Sequence, residues 1–240
     1  MTAGYPDPAE IARAFWVSAG GDDVFPRDLE RAVAMALPLT IVRLPALDAA
    51  AVTERLLRWG IPVPVPRDDR PFMGCLVARR GSGIVFVHGG DDPLEQRLTI
   101  AHEAAHFLLD YLAPREDVLR ALGESAADVL DGVRPPTPAE RADAILRRVR
   151  IGPHVHLLAR DESADATVGW AESRADDLAI ELLAPRADLL PRLTPTADAG
   201  ALAARYGLPA HVFERLLRRA NRPRPASQIE LLLAAVREVR

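Results

Sequence analysis

Lysine is absent from this 240-residue chain, and cysteine occurs once. Every cation other than histidine is therefore an arginine, a bias that carries no mechanism by itself. The lone Cys75 excludes an intrachain disulfide and suits a reducing compartment. Neither charge sign is in large excess. A formal net charge of −4 supplies no global basic field to attract nucleic acid. No apolar run reaches membrane-spanning length. The start, Met1-Thr2-Ala3-Gly4-Tyr5-Pro6, lacks the basic region and apolar run of a secretory signal. Repeats and long low-complexity runs are missing too. These absences lead to the expectation of a soluble cytoplasmic protein. The length allows one large domain, or a domain with a small appendage.

What is present is concentrated in one stretch, His102-Glu103-Ala104-Ala105-His106. On a helix, residues four apart share a face, so both imidazoles can address one ion. Glu103 lies beside the first His and can reach a water at the same ion. Two ligands and a general base in one turn are the sequence form of a zinc-hydrolase site. The surroundings favour a helix. Asp92 and Pro93 make a good start, and Leu98, Ala101, Ala105, Leu108 and Leu112 recur at helical spacing up to an expected stop before Pro114. The bland alternative is a core helix with two hydrogen-bonded His. Burying two His and a Glu without partners is costly, and a metal satisfies all three.

Such a zinc site needs a third protein ligand. The helix predicted from Trp170 to Ala184 offers Glu172 and, one turn later, Asp176, next to an apolar face of Ala171, Ala175, Leu178, Ala179, Leu182 and Leu183. Glu172 is the candidate ligand. Asp176 is placed to accept the free ring N–H of a ligating His. Read alone, both are better explained as solvated helix charges, and it is the company of His102 and His106 that favours the site. Asp110, four residues after His106, is either a surface charge or a partner of that ligand.

The two stretches Arg97–Leu109 and Glu172–Pro185 together resemble the ImmA/IrrE family of zinc metallo-endopeptidases, which are gluzincin-like. The second stretch follows the family's E-x-x-A-[ND]-x-F-A-x-x-L-L-x-P pattern, with Leu178 in place of the usual aromatic. The resemblance implies an α+β, zincin-like fold, mostly helical, with a small β-sheet preceding the HExxH helix. It implies Zn²⁺ held by His102, His106 and Glu172, with Glu103 as base. It also implies a specific protein substrate, a transcriptional repressor or antitoxin-like regulator, such as a helix-turn-helix repressor encoded nearby, cut under stress. The family places its third ligand a few tens of residues after the second His. Here residues 112–169 intervene as an insertion that is expected to fold and border the cleft.

The remaining elements follow from local signals. Helices are predicted at Pro8–Ala19, Pro26–Leu37 and Asp48–Trp59, and strands at Leu39–Val42, Cys75–Ala78 and Ile84–Val87. Within the insertion, Arg115–Leu130 and Thr137–Val149 read as helices, and His154–Arg160 as a strand. Apolar positions such as Val118, Ile145 and Leu146 are expected to find cover. The domain expected for residues 1–195 is followed by a helical tail, 196–240, packed on the core. That tail has a helix–Gly–helix rhythm around Gly207 and several arginines. Two rival functions stay open: a zinc-stabilised protein-binding module that cuts nothing, and a DNA-binding regulator acting through the tail.

Overall fold

The computed structural model describes residues 7–21, 23–62, 71–153, 156–159, 166–194 and 196–220. The architecture is mixed α+β and mostly helical. Its elements are α1 (Pro8–Ser18), α2 (Leu29–Ala36), β1 (Leu39–Leu44), α3 (Ala49–Arg58), β2 (Gly74–Arg79), β3 (Ser82–His88) and α4 (Pro93–His106). A π turn, Phe107–Leu112, then leads into α5 (Ala113–Leu122). After it come α6 (Ala127–Leu130), α7 (Pro138–Arg147), β4 (His156–Ala159), α8 (Ala166–Leu183), α9 (Arg186–Leu189), α10 (Ala199–Tyr206) and α11 (Ala210–Ala220). Asp7, Asp28, Asp48, Asp92 and Asp198 each cap a helix, the side chain accepting a first-turn N–H that would otherwise lack a helical partner.

The sheet has the order β1-β3-β2-β4. Strand β1 runs parallel to β3, while β2 runs antiparallel to both β3 and β4. Three strands precede the metal-motif helix as expected, but β4 follows it and adds to the edge of β2. Residue alternation sorts the two faces of the sheet. Leu76, Ala78, Val85 and Val87 face the main core with α1, α2, α4 and α8. Cys75, Val77 and Phe86 face Val52 and Leu56 of α3 on the other side. Trp16 ties α1 to α8 by donating its indole N–H to the Leu182 carbonyl at 2.9 Å. Among the described residues no helix is long and apolar enough to cross a membrane.

Several expectations shift. Helix α2 starts at Leu29 rather than Pro26, because Asp28 supplies the cap. The stop expected before Pro114 does not occur. The chain passes through the π turn into α5 without leaving helical backbone, and Pro114 falls in the first turn of α5. The single helix expected at Arg115–Leu130 is broken at Gly123, whose φ of +87° is a conformation suited to glycine. Residues 113–151 keep a small cluster of their own, with Val118, Ala126 and Leu130 at its centre. Ile145 and Leu146, expected to be covered, are 77% and 79% exposed, because α7 turns Ala144 inward instead. In the tail, Tyr206, Leu208 and Phe213 join the main core, and His211 lies 3.3 Å from Glu95 of α4. Residues 221–240 and His154 lie outside the described residues, as does the side chain of His156.

Candidate metal centre

Helix α4 is buried without interruption from Thr99 to His106. Packing against the sheet on one side and α8 on the other fixes the direction of each side chain. The spacing of four brings the two imidazoles together, with Nε2 of His102 and Nε2 of His106 3.0 Å apart. Glu172 arrives from α8 and straddles the pair. Its Oε2 lies 3.2 Å from His102 Nε2, and its Oε1 lies 3.3 Å from His106 Nε2. The three residues can each offer a ligand atom within 4.8 Å of the others.

The far side of each ring decides what the near side can do. His102 Nδ1 meets Asp176 Oδ1 at 2.9 Å, and His106 Nδ1 meets Asp110 Oδ2 at 2.7 Å. An ionised carboxylate only accepts, so each Nδ1 carries its proton. In the neutral imidazoles both Nε2 atoms then present lone pairs, aimed at each other and at a carboxylate. Such a convergence of acceptors is stable only around positive charge, supplied by a proton or a cation. His106 shows the demand. Burial alone would lower its pKa, but the Asp110 and Glu172 carboxylates and the charge of Glu103 outweigh burial and push it up to about 9. Burial would raise Glu172, yet the hydrogen bonds from His102 and His106 hold it well below the usual carboxylate range. His₂Glu is also a donor set that suits a divalent ion with a ligand position left over. The residues therefore fit a metal ion.

Glu103, between the two His, is buried. Its seat depends on Gly74 at the start of β2. A Cβ built there would collide with Glu103 Oε1 and come within 2.7 Å of Thr99 Cγ2. Only glycine leaves that carboxylate its place. Cys75, the next residue, is fully buried, and burial together with the nearby charge of Glu103 pushes its thiol pKa far up. It is an inert core thiol, in keeping with its small size.

Two clefts lie along α4 and the π turn that follows it. One, of about 390 Å³, is lined by Phe72, Met73, His88, Glu95 and Thr99, one helical turn from Glu103. His88 borders it, with its Nδ1 3.0 Å from Asp91. The other, of about 680 Å³, has Asp110, Trp170 and Arg174 on one side and Glu116, Asp117 and Arg120 of α5 on the other. Helix α5 thus lines the second cleft. Tyr111 and Tyr206 are engaged elsewhere. The Tyr111 hydroxyl accepts the Gly81 N–H at 2.7 Å, and Tyr206 donates to Asp188 at 2.6 Å.

Sequence spacing pointed to His102, Glu103, His106, Glu172 and Asp176, and the fold gathers them. The contribution of Gly74 was not foreseeable, because it arises from a strand that is remote in sequence. Arg174 gave only the faint signal of lying two residues after the candidate ligand. In comparisons with known proteins, no family model matches the chain and no curated protein matches it.

Proposed function

We propose that this chain is a zinc-dependent endopeptidase with a zincin-like fold, of the ImmA/IrrE kind that its two motif stretches resemble. One observation carries the reading. The buried Glu103 sits in the same helical turn as two imidazoles whose Nε2 atoms converge with Glu172. A purely structural metal site has no use for that extra carboxylate, which costs free energy to bury.

When bound, zinc supplies Lewis acidity, lowering the pKa of water and polarising a carbonyl oxygen. His102, His106 and Glu172 would hold it. Asp176 orients the His102 ring. Glu103 takes the proton of the attacking water and passes it to the departing amine. The substrate class follows from the resemblance: a protein regulator such as a helix-turn-helix repressor encoded nearby. The packing of the tail against α4 and the acidic net charge support this over a DNA-reading role.

The test compares wild type with Glu103→Gln, both loaded with zinc and incubated with the repressor-like protein encoded nearest to the gene. The variant should keep its metal and fold and lose cleavage by about a hundredfold to ten-thousandfold, read by mass spectrometry of the products. Undiminished cleavage by Glu103→Gln would remove the mechanism. A metal-loaded wild type that binds its partner and never cuts it would favour a binding module.

A further inference from the structure

We infer that Asp110 is a positioning residue of the metal centre, and that Arg174 acts through it to clasp the His-bearing helix to the Glu-bearing helix. The inference rests on the metal-binding part of the proposed function and not on proteolysis.

The geometry divides one carboxylate between two duties. Oδ2 of Asp110 faces His106 Nδ1 at 2.7 Å, and Oδ1 faces Arg174 at 3.4 Å. Asp110 belongs to the π turn that follows His106, a rare helical form that is often found at functional sites. Arg174 belongs to α8, two residues beyond Glu172, and its guanidinium lies 4.4 Å from the Trp170 ring centroid. A closed circuit results: Glu172 to His106, His106 to Asp110, Asp110 to Arg174, and back along α8 to Glu172. An ion held by the two His and Glu172 would join the same two helices that the clasp joins.

The two His are therefore tied to α8 unequally. His102 is bridged directly by Asp176, whose side chain is 48% exposed. His106 is bridged through Asp110, which is 18% exposed and already paired with a cation. A hydrogen bond shielded from water is electrostatically stronger. The Asp110 link should set the orientation of His106 more firmly than Asp176 sets that of His102. Removing an outer partner of a ligating His typically costs about tenfold to a hundredfold in metal affinity.

The experiment titrates the full chain with Co²⁺ against a competing chelator and records the visible ligand-field spectrum. It uses wild type, Asp110→Ala, Asp110→Asn, Asp176→Ala, Arg174→Met and the double variant Asp110→Ala/Arg174→Met. Asp110→Ala should weaken Co²⁺ binding by about tenfold to a hundredfold and shift the ligand-field bands. The loss in Asp176→Ala should be smaller. Asp110→Asn should recover part of the affinity, because its carbonyl oxygen still accepts from Nδ1–H. Arg174→Met should weaken binding when Asp110 is present and add little when it is gone, since residues of one network do not act additively. A folded Asp110→Ala chain with wild-type affinity and spectrum would overturn the inference. Fully additive losses would remove the role given to Arg174. A wild type that binds Co²⁺ normally yet cuts no protein overturns only the proteolytic reading.

Discussion

Helices α4 and α7 carry comparable apolar side chains and use them in opposite ways. Helix α4 is enclosed from Thr99 to His106, whereas α7 buries Ala144 and leaves Ile145 and Leu146 at the surface. The first is located by packing on two sides. The second packs on one side only, against α5, and is held at its start by a capping box between Thr137 and Glu140 and by the Arg134–Glu140 ion pair at 2.6 Å. Two-sided burial is what places a ligating atom reproducibly. Caps and surface pairs specify that a helix forms there but allow it to shift.

The largest expected effect extends that contrast to α8, the helix packed against α4. Leu178 is fully buried on α8 between the ligand turn and the core. Leu178→Ala should cost about 2–5 kcal/mol of stability, read from chemical denaturation. Ile145→Ser should stay within about 0.5 kcal/mol. Similar costs at the two positions would erase the distinction between the regions.

Next in size is Gly74→Ala, which sharpens the contrast within the enclosed half. The new methyl group meets Glu103 and Thr99, and overpacking of this kind costs about 1–3 kcal/mol. We expect a lower denaturation midpoint and impaired cleavage, with Co²⁺ affinity largely kept, because the ligands themselves are not displaced. Unchanged stability and cleavage would mean that the seat of Glu103 tolerates more than its geometry indicates.

The smallest effect belongs to the capped half. The hydrogen bonds from Arg134 and Thr137 lower the Glu140 pKa from the ordinary 4.5 to about 2. A depressed carboxylate stabilises the folded state above its unfolded pKa, and the contribution is lost as pH falls through the folded value. Amides of α7 should therefore exchange more slowly in wild type than in Glu140→Gln above about pH 4.5. The gap should close as pH approaches 2. A gap that persists there would show that the ionised carboxylate does not hold the cap.

Legibility in the sequence follows the range of the interactions. His102, Glu103 and His106 were readable because helical periodicity alone brings them together. Glu172 and Asp176 were readable as a pair on one face, though nothing local said which His the aspartate would meet. Asp110 stood at the right spacing from His106, but burial decides between a surface charge and a ring partner, and burial belongs to the whole fold. The break at Gly123 was missed because the apolar pattern continues on both sides of it. The exposure of Ile145 and Leu146 was missed because pattern shows that a helix has an apolar side, not that a surface waits for it. Pro114 misled in another way. A proline ends a helix that needs its N–H, and the π turn places this one in the first turn of the next helix.

The ligands are also far apart in order of synthesis. Both His and Glu103 leave the ribosome well before Glu172, with residues 112–169 between them. A nascent chain therefore displays half a centre, two imidazoles and a carboxylate, before α8 exists. Completion waits on a long-range docking step, the kind of contact that forms slowly. The small cluster of Val118, Ala126 and Leu130 eases that step, since a pre-folded segment closes as a shorter effective loop. Closure entropy rises by only about 0.6 kcal/mol for each doubling of loop length. An insertion at this point can therefore lengthen or shorten with little penalty to the finished centre.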